Sequence, residues 1–324
     1  MTPGGLTRRR VLAVLAVSAA ALRGRIAFAE TPLVHWRGRA FGADVSLSVR
    51  DADTPRAQAA LRDGAREIER LETVLSLYRP DSALARLNAA GGLDDPPAEL
   101  LEVLTAAAQI SAISGGAFDV TVQPLWGVHV RAQRDPRGFG AALDVARGRI
   151  GWQRLSVAAD RIAFAAPGMA ATLNGIAQGY AADRIASLLH DRGCRHVLAD
   201  LGETRAVGER APGEAWRIGV GRPEGDDIAA VLRLSDAAVA TSSPAGFRFD
   251  ATGERHHLFD PRTGRSARSW AQVSVVAADA TTADALSTAI AVAPMEAAET
   301  LLAAGGGREA LLIDDQGRLR RIRA

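Results

Sequence analysis

The 324 residues are 48% hydrophobic and 23% charged, the make-up of an ordinary soluble globular protein with enough chain for a sizeable core. Residues 1–29 hold five of the 39 basic residues and no acid, so the rest carries 34 basic and 37 acidic residues, a formal net charge of −3. That balance removes the basic footprint of a nucleic-acid-binding protein, and a single cysteine, Cys194, excludes an internal disulfide and reads as a buried small residue.

The N-terminus carries an export signature. In TRRRVLAVLAVSAAALRGRIAFAE, an Arg cluster at 8–10 precedes an apolar stretch from Val11 to Leu22, and AFA at 27–29 sets a small-x-small cleavage pattern before Glu30. The stretch is too short to span a bilayer. The adjacent arginines resemble a twin-arginine signal, and Arg23 and Arg25 fit that route better than the general one. The expectation is a cleavable signal over 1–29 and a mature body over 30–324, soluble in the periplasm. A general secretory signal or an uncleaved anchor is the alternative.

The body reads as one α+β unit of mainly antiparallel sheets with packed helices. DVSLSV at 44–49 alternates like a strand. Leu61, Ala65, Ile68, Leu71 or Glu72, and Leu75 form a helical stripe over 56–76. A second helix over 97–116 enters at Pro97 and stops at Gly115-Gly116. The segments 154–166 and 311–322 look like hairpins around polar turns. A third helix over 175–193 leads to the short strand HVLAD, 196–200. There is no fixed-period repeat and no long low-complexity linker.

Four stretches break the apolar pattern. SLYRPDSALARLN, 76–88, sets Tyr78 at a helix end before a Pro-Asp-Ser turn, either a surface corner or a flat ring for stacking on a planar ligand. GGAFDVTVQPLW, 115–126, sets Asp119 after a Gly-rich loop and before alternating residues; Asp119 caps the loop, or Ala117 and Phe118 approach a ligand where the glycines leave room. TLNGIAQGYAAD, 172–183, flanks a helix start with Gly175 and Gly179, for close packing or for backbone N–H groups offered to phosphate. It is neither a P-loop nor a dinucleotide fingerprint. ERHHLFDPRTGR, 254–265, carries His256 and His257 at a strand end beside a strong DPRTG turn. Zinc lacks its usual partners there, and one His is a candidate general base or a turn residue without a role.

A fifth stretch, TTADALSTAI at 281–290, reads as a buried helix, yet Asp284 and Thr288 stand one turn apart on one face. Capping and a back-bond to a carbonyl would explain them structurally. The functional alternative is a hard cation, since carboxylate, hydroxyl, backbone carbonyl and phosphate oxygens suit Mg²⁺.

Taken in order, Tyr78 with its following helix, GGAFDVTVQPLW, LNGIAQGYAAD, HHLFDPRTG and ADALSTA resemble the ApbE family of FAD:protein FMN transferases, from about Trp36 to the C-terminus. The resemblance implies an α+β fold of two related sub-units sharing one core. It implies a periplasmic, Mg²⁺-dependent enzyme that cleaves FAD, joins FMN to a Thr or Ser hydroxyl of a target flavoprotein and leaves AMP. It implies cofactor contacts at Phe41, Tyr78, Ala117, Phe118, Asp119, Thr172, Gln178 and Leu258. It implies metal ligation by the Gly175 carbonyl, Asp284 and Thr288, and His257 as the base that deprotonates the acceptor hydroxyl. Departures from the family pattern are FGA at 41–43 for Met-Gly-Thr, Thr172 for Asp, Gln178 for Lys or Glu, and LGE at 201–203 for GGD. Two alternatives stand beside transfer: a pyrophosphatase that hydrolyses FAD to FMN and AMP, and an exported flavin-binding protein without turnover.

Overall fold

The computed structural model describes residues 31–225 and 227–324; the expected signal over 1–29 lies outside the described residues. From Leu33, β1 (Leu33–Ala40) and β2 (Ala43–Arg50) form a hairpin. An excursion over 51–171 carries α1 (Thr54–Leu75), α2 (Ala83–Ala90), β3 (Gly92–Asp94), α3 (Ala98–Ile113), α4 (Gln123–Arg134), α5 (Phe139–Arg147), β4 (Leu155–Val157) and β5 (Arg161–Phe164). Helix α6 (Ala177–Asp191) then leads into the hairpin β6 (His196–Asp200) and β7 (Thr204–Val207), and a ribbon of β8 (Trp216–Gly221) and β9 (Ile228–Leu234) follows. The second half has β10 (Ala237–Ser242) paired with β11 (Gln272–Ala277), then α7 (Ala280–Val292), α8 (Ala298–Ala304), and the hairpin of β12 (Gly307–Ile313) and β13 (Leu319–Arg323).

Both halves are thus hairpin, helix, hairpin. They join edge to edge through β7 and β10 in one antiparallel sheet of order β1-β2-β6-β7-β10-β11-β12-β13. This is the α+β fold of two related sub-units around one core. Strand alternation divides the sheet between two apolar layers. Ala238, Ala240, Val273 and Val275 face the helical core, whereas Ala237, Val239 and Val276 pack under the β8–β9 ribbon around Trp216. With both faces covered, β11 is buried throughout, and its two polar residues, Gln272 and Ser274, are each hydrogen-bonded, to the Gly221 carbonyl and to Thr241 Oγ1.

Local chemistry accounts for the helices. Asp53 accepts the Arg56 N–H at 3.0 Å to start α1, whose buried stripe includes Leu61, Ile68, Leu71 and Leu75. Pro97 opens α3, and α3 ends ahead of Gly115 and Gly116, both at positive φ. Asp279, not Asp284, caps α7 by accepting the Thr282 N–H at 2.8 Å.

Two stretches differ from their expectation. The alternation after Asp119 is not extended: Asp119 Oδ1 accepts the Thr121 N–H at 2.7 Å and opens a 3₁₀ turn, Val120–Val122, that runs into α4. A side-chain cap outweighs a short period-2 pattern there. The paired histidines lie in an irregular loop between β10 and β11, tied by the isolated bridges Arg248–His256 and Phe259–Ser266 rather than at the end of a strand.

Candidate active site

Helices α6 and α7 cross closely because Gly179 has no side chain: a Cβ there would fall 2.2 Å from the Ala280 carbonyl oxygen and 2.8 Å from Asp284 Cβ. Each helix caps the other. Asp284 Oδ2 accepts the Gly179 N–H at 3.1 Å, and Asp183 accepts the N–H groups of Ala280 and Thr281, each at 2.8 Å. At the same crossing Gly175 presses on Thr288, since a Cβ on Gly175 would lie 2.8 Å from Thr288 Oγ1.

This crossing forms one wall of a cavity of about 250 Å³ that gathers Ala117, Phe118, Asp119, Thr172, Gly175, Gln178, His257, Leu258, Asp284 and Thr288. Phe41 and Tyr78 line an adjoining pocket of about 320 Å³, and the two share Trp126, Asn174, Gln178, Gly246 and His257. The expected site residues therefore lie along one continuous groove.

Asp284 is 3% exposed, the one ionisable residue in a helix whose other residues are apolar or hydroxyl-bearing. A carboxylate buried this way costs several kcal/mol unless compensated. Burial, with a smaller push from Asp183, raises its pKa to about 7, against the Gly179 hydrogen bond. Glu203 shares the cavity, and its Oε2 accepts the Thr241 N–H at 2.9 Å. Burial first, then the charge of Asp284, holds its carboxyl well above the usual range. Among the described residues no arginine lines either pocket.

The adjacent histidines have different jobs. His256 is buried; its Nε2–H donates to the Ala267 carbonyl at 2.8 Å, and its Nδ1 accepts the Leu258 N–H at 3.3 Å. Burial pushes its pKa down to about 4, and with both nitrogens engaged it has no lone pair left for a metal. His257 is half-buried at the junction of the two pockets. Its Nδ1 lies 3.2 Å from the Phe247 carbonyl, which can only accept, so Nδ1 carries the proton and Nε2 is left as a base. Burial lowers the His257 pKa, which keeps the ring neutral at pH 7.

The remaining expected residues are distributed along the walls. Phe41 takes φ 51° in the two-residue β1–β2 turn, held by its N–H to Glu72 Oε1 at 2.8 Å. Tyr78 is 66% exposed at the rim, and Asn174 Nδ2 reaches its hydroxyl at 3.5 Å. Ser82 braces that turn by donating to the Ser76 carbonyl at 2.6 Å. Asp119 is in the wall, but its carboxylate is occupied by Thr121 and by the Trp152 N–H at 3.0 Å, so it shapes the cavity more than it charges it. Thr172 is anchored by its N–H to the Val120 carbonyl at 2.7 Å, and Gln178 lies over Gly202. Sequence reasoning passed over Glu203 as a site residue, and over Trp126 and Ser242. The signals for the first two were LGE at 201–203, standing where the family pattern has GGD, and the place of Trp126 at the end of GGAFDVTVQPLW.

The ApbE family model matches residues 41–312. The FAD:protein FMN transferase of Treponema pallidum is 34% identical over 285 residues, covering 81% of this chain and 79% of that protein. Its counterpart from Salmonella typhimurium is 28% identical over 280 residues, covering 82% and 80%. Among solved structures, the flavin transferase ApbE from Vibrio cholerae superposes with a TM-score of 0.76 at 24% identity, covering 90% of this chain and 97% of that one. The ApbE protein from Thermotoga maritima gives a TM-score of 0.78 at 26% identity, with the same coverage. With a family match across most of the chain, a shared fold and a groove built from the motifs that carried the resemblance, this chain belongs to the ApbE family.

Proposed function

We propose that the protein transfers FMN from FAD to a Thr or Ser hydroxyl of a target flavoprotein, releasing AMP, and that it does so in the periplasm. Relatives named FAD:protein FMN transferase support the activity, and the Arg cluster, apolar stretch and AFA pattern of the N-terminus support export. The observation that carries the reading is the convergence of Asp284, Thr288, Gly175 and His257 on one cavity lined by carboxylates and hydroxyls without an arginine.

A pyrophosphate in that lining meets negative charge and no side-chain cation. The residues therefore fit a hard divalent ion held by the Asp284 carboxylate, the Thr288 hydroxyl and the Gly175 carbonyl. When bound, Mg²⁺ supplies charge neutralisation at the phosphoryl oxygens. The chain's own residues do the rest. The aromatic rim of Phe41, Tyr78 and Trp126 offers faces for a planar ring, and the inner cavity takes the phosphates. Thr172 and Gln178 contact the cofactor by neutral hydrogen bonds. The acceptor oxygen forms a bond to the FMN phosphorus, the bond to the AMP oxygen breaks, and AMP leaves with that electron pair. The acceptor proton passes to His257 Nε2, the imidazole being fixed by the Phe247 carbonyl.

The test is AMP release from FAD and Mg²⁺, with and without an acceptor flavoprotein. AMP formation that depends on the acceptor is expected. AMP at full rate without it would make the protein a FAD pyrophosphatase, and tight FAD binding with no AMP in either case would make it a flavin carrier.

A further inference from the structure

Thr288 does not bond back to a carbonyl of its own helix. Its Oγ1 lies 3.0 Å from Ser242 Oγ, which lies 2.8 Å from Ser287 Oγ, and Ser287 Oγ donates to the Asp284 carbonyl at 2.9 Å. Only one proton arrangement satisfies all three contacts. A carbonyl only accepts, so the single Ser287 proton goes to Asp284 O. Ser287 then accepts from Ser242. Ser242, with its own proton used, accepts from Thr288. The Thr288 O–H is thereby turned into the protein, and its remaining lone pair is left for the cavity.

The geometry points to Ser242 as a positioning residue that, by accepting the Thr288 proton, presents Thr288 Oγ1 to the cavity as a pure electron-pair donor for a cation. This inference rests on the reading of Thr288 as a metal ligand. Ser242 suits the task because it ends β10, on the same alternation as Ala238 and Ala240 that face the helices. It is 8% exposed and lies in the cavity wall. Thr241, one residue earlier, bonds Ser274 Oγ at 2.8 Å and has no part in the chain. Without the Ser242 oxygen, the Thr288 hydroxyl is free to swing its proton toward the carboxylates that share the cavity. A hydroxyl donating into the cavity opposes a cation there.

The experiment is Mn²⁺ binding to the protein without flavin, read from loss of the free-ion electron paramagnetic resonance signal. The parent is compared with Thr288→Val, Ser242→Ala and Ser242→Thr, with melting curves in EDTA to confirm folding. Ser242→Ala should bind Mn²⁺ about tenfold more weakly, the scale on which outer partners of metal ligands act. Ser242→Thr keeps the hydroxyl and should return to within about twofold of the parent. Thr288→Val should lose at least as much as Ser242→Ala. Parent-like binding by Thr288→Val overturns the ligand reading itself. Weakened Thr288→Val with parent-like Ser242→Ala, or equal losses in Ser242→Ala and Ser242→Thr, overturns the role of Ser242 alone. If Ser242→Ala does not fold, Ser287→Ala takes its place: it unties the Ser242 proton and should weaken Mn²⁺ about threefold, and parent-like binding overturns the inference.

Discussion

Asp284 Oδ2 accepts the backbone N–H of Gly179 at 3.1 Å, so a carboxylate in the middle of one helix caps the first turn of another. Asp183 returns the bond to the start of α7. The pair locks the crossing that holds Gly175 against Thr288. It also engages only one Asp284 oxygen, and among the described residues no hydrogen bond reaches the other. One oxygen thus has a structural role, and the other is open to the ligand role proposed for Asp284.

Asp284→Asn preserves the acceptor for Gly179 and removes the charge. Transfer should fall by orders of magnitude and respond poorly to added Mg²⁺, because the cation loses its charged ligand. Activity within about threefold of the parent at limiting Mg²⁺, under ~1 kcal/mol of barrier, would contradict the metal role.

The same substitution should stabilise the metal-free protein in neutral and mildly alkaline solution. The folded-state pKa of Asp284 is raised from 3.8 to about 7. In such a case the unfolded chain ionises first as pH rises, so stability is full below pH 3.8 and is lost as pH climbs through about 7. Denaturant melts in EDTA should show parent and Asp284→Asn converging near pH 4 and the variant ahead at pH 8 by about 2–4 kcal/mol. A variant less stable than the parent at pH 8 would show that the ionised carboxylate contributes net stability without metal.

His257 should set the acid limb of the pH profile. Burial holds its pKa below 6.5, so the base is already free at neutral pH and is lost only as pH falls through the lowered value. Transfer should decline below pH 6.5 with a slope of one, and that limb should vanish in His257→Ala along with most of the rate. An unchanged acid limb in His257→Ala would assign the proton transfer elsewhere. FAD affinity should change little, since a base acts mainly in the transition state.

The neighbouring histidine predicts the opposite pattern. His256→Ala leaves the Ala267 carbonyl and the Leu258 N–H without partners in a buried loop, and should cost about 2–4 kcal/mol in urea melts. His257→Ala should leave those melts almost unchanged. Equal destabilisation by the two would mean that His257 also braces the loop.

The two glycines of the helix start separate in the same way. Gly179→Ala drives a methyl into the Ala280 carbonyl and should destabilise by about 3 kcal/mol. Gly175→Ala meets a side chain, Thr288, which can turn aside, so it should raise the Mg²⁺ needed for half-maximal transfer more than it lowers stability. The reverse order in melts and Mg²⁺ titrations would contradict the geometry of the crossing.

The legible parts of the sequence were those governed by local rules. The stripe of α1, the Pro and Gly bounds of α3 and the polar turn between β12 and β13 are each written within a few residues. The doubling of hairpin, helix and hairpin was not visible as a repeat, because insertions over 51–171 and 243–271 differ in length and break any fixed period. The alternation after Asp119 misled for a different reason: the capping that Asp119 offered opens a 3₁₀ turn there in place of a strand. In the site, the motif residues were readable and the partners of those motifs were not. Glu203 reaches the cavity from the β6–β7 turn and Ser242 through the alternation of β10, and no spacing in the chain says which hydroxyl will meet Thr288. Nor does it say that Asp284 will cap α6 rather than its own helix.

The most direct test of the proposed transfer is the intact mass of an acceptor flavoprotein after incubation with the protein, FAD and Mg²⁺, followed by peptide mapping. The account predicts an acceptor heavier by one FMN phosphoester on a Thr or Ser, with AMP formed in equal amount and no adduct in EDTA. An acceptor of unchanged mass while FAD is converted to free FMN and AMP would contradict it.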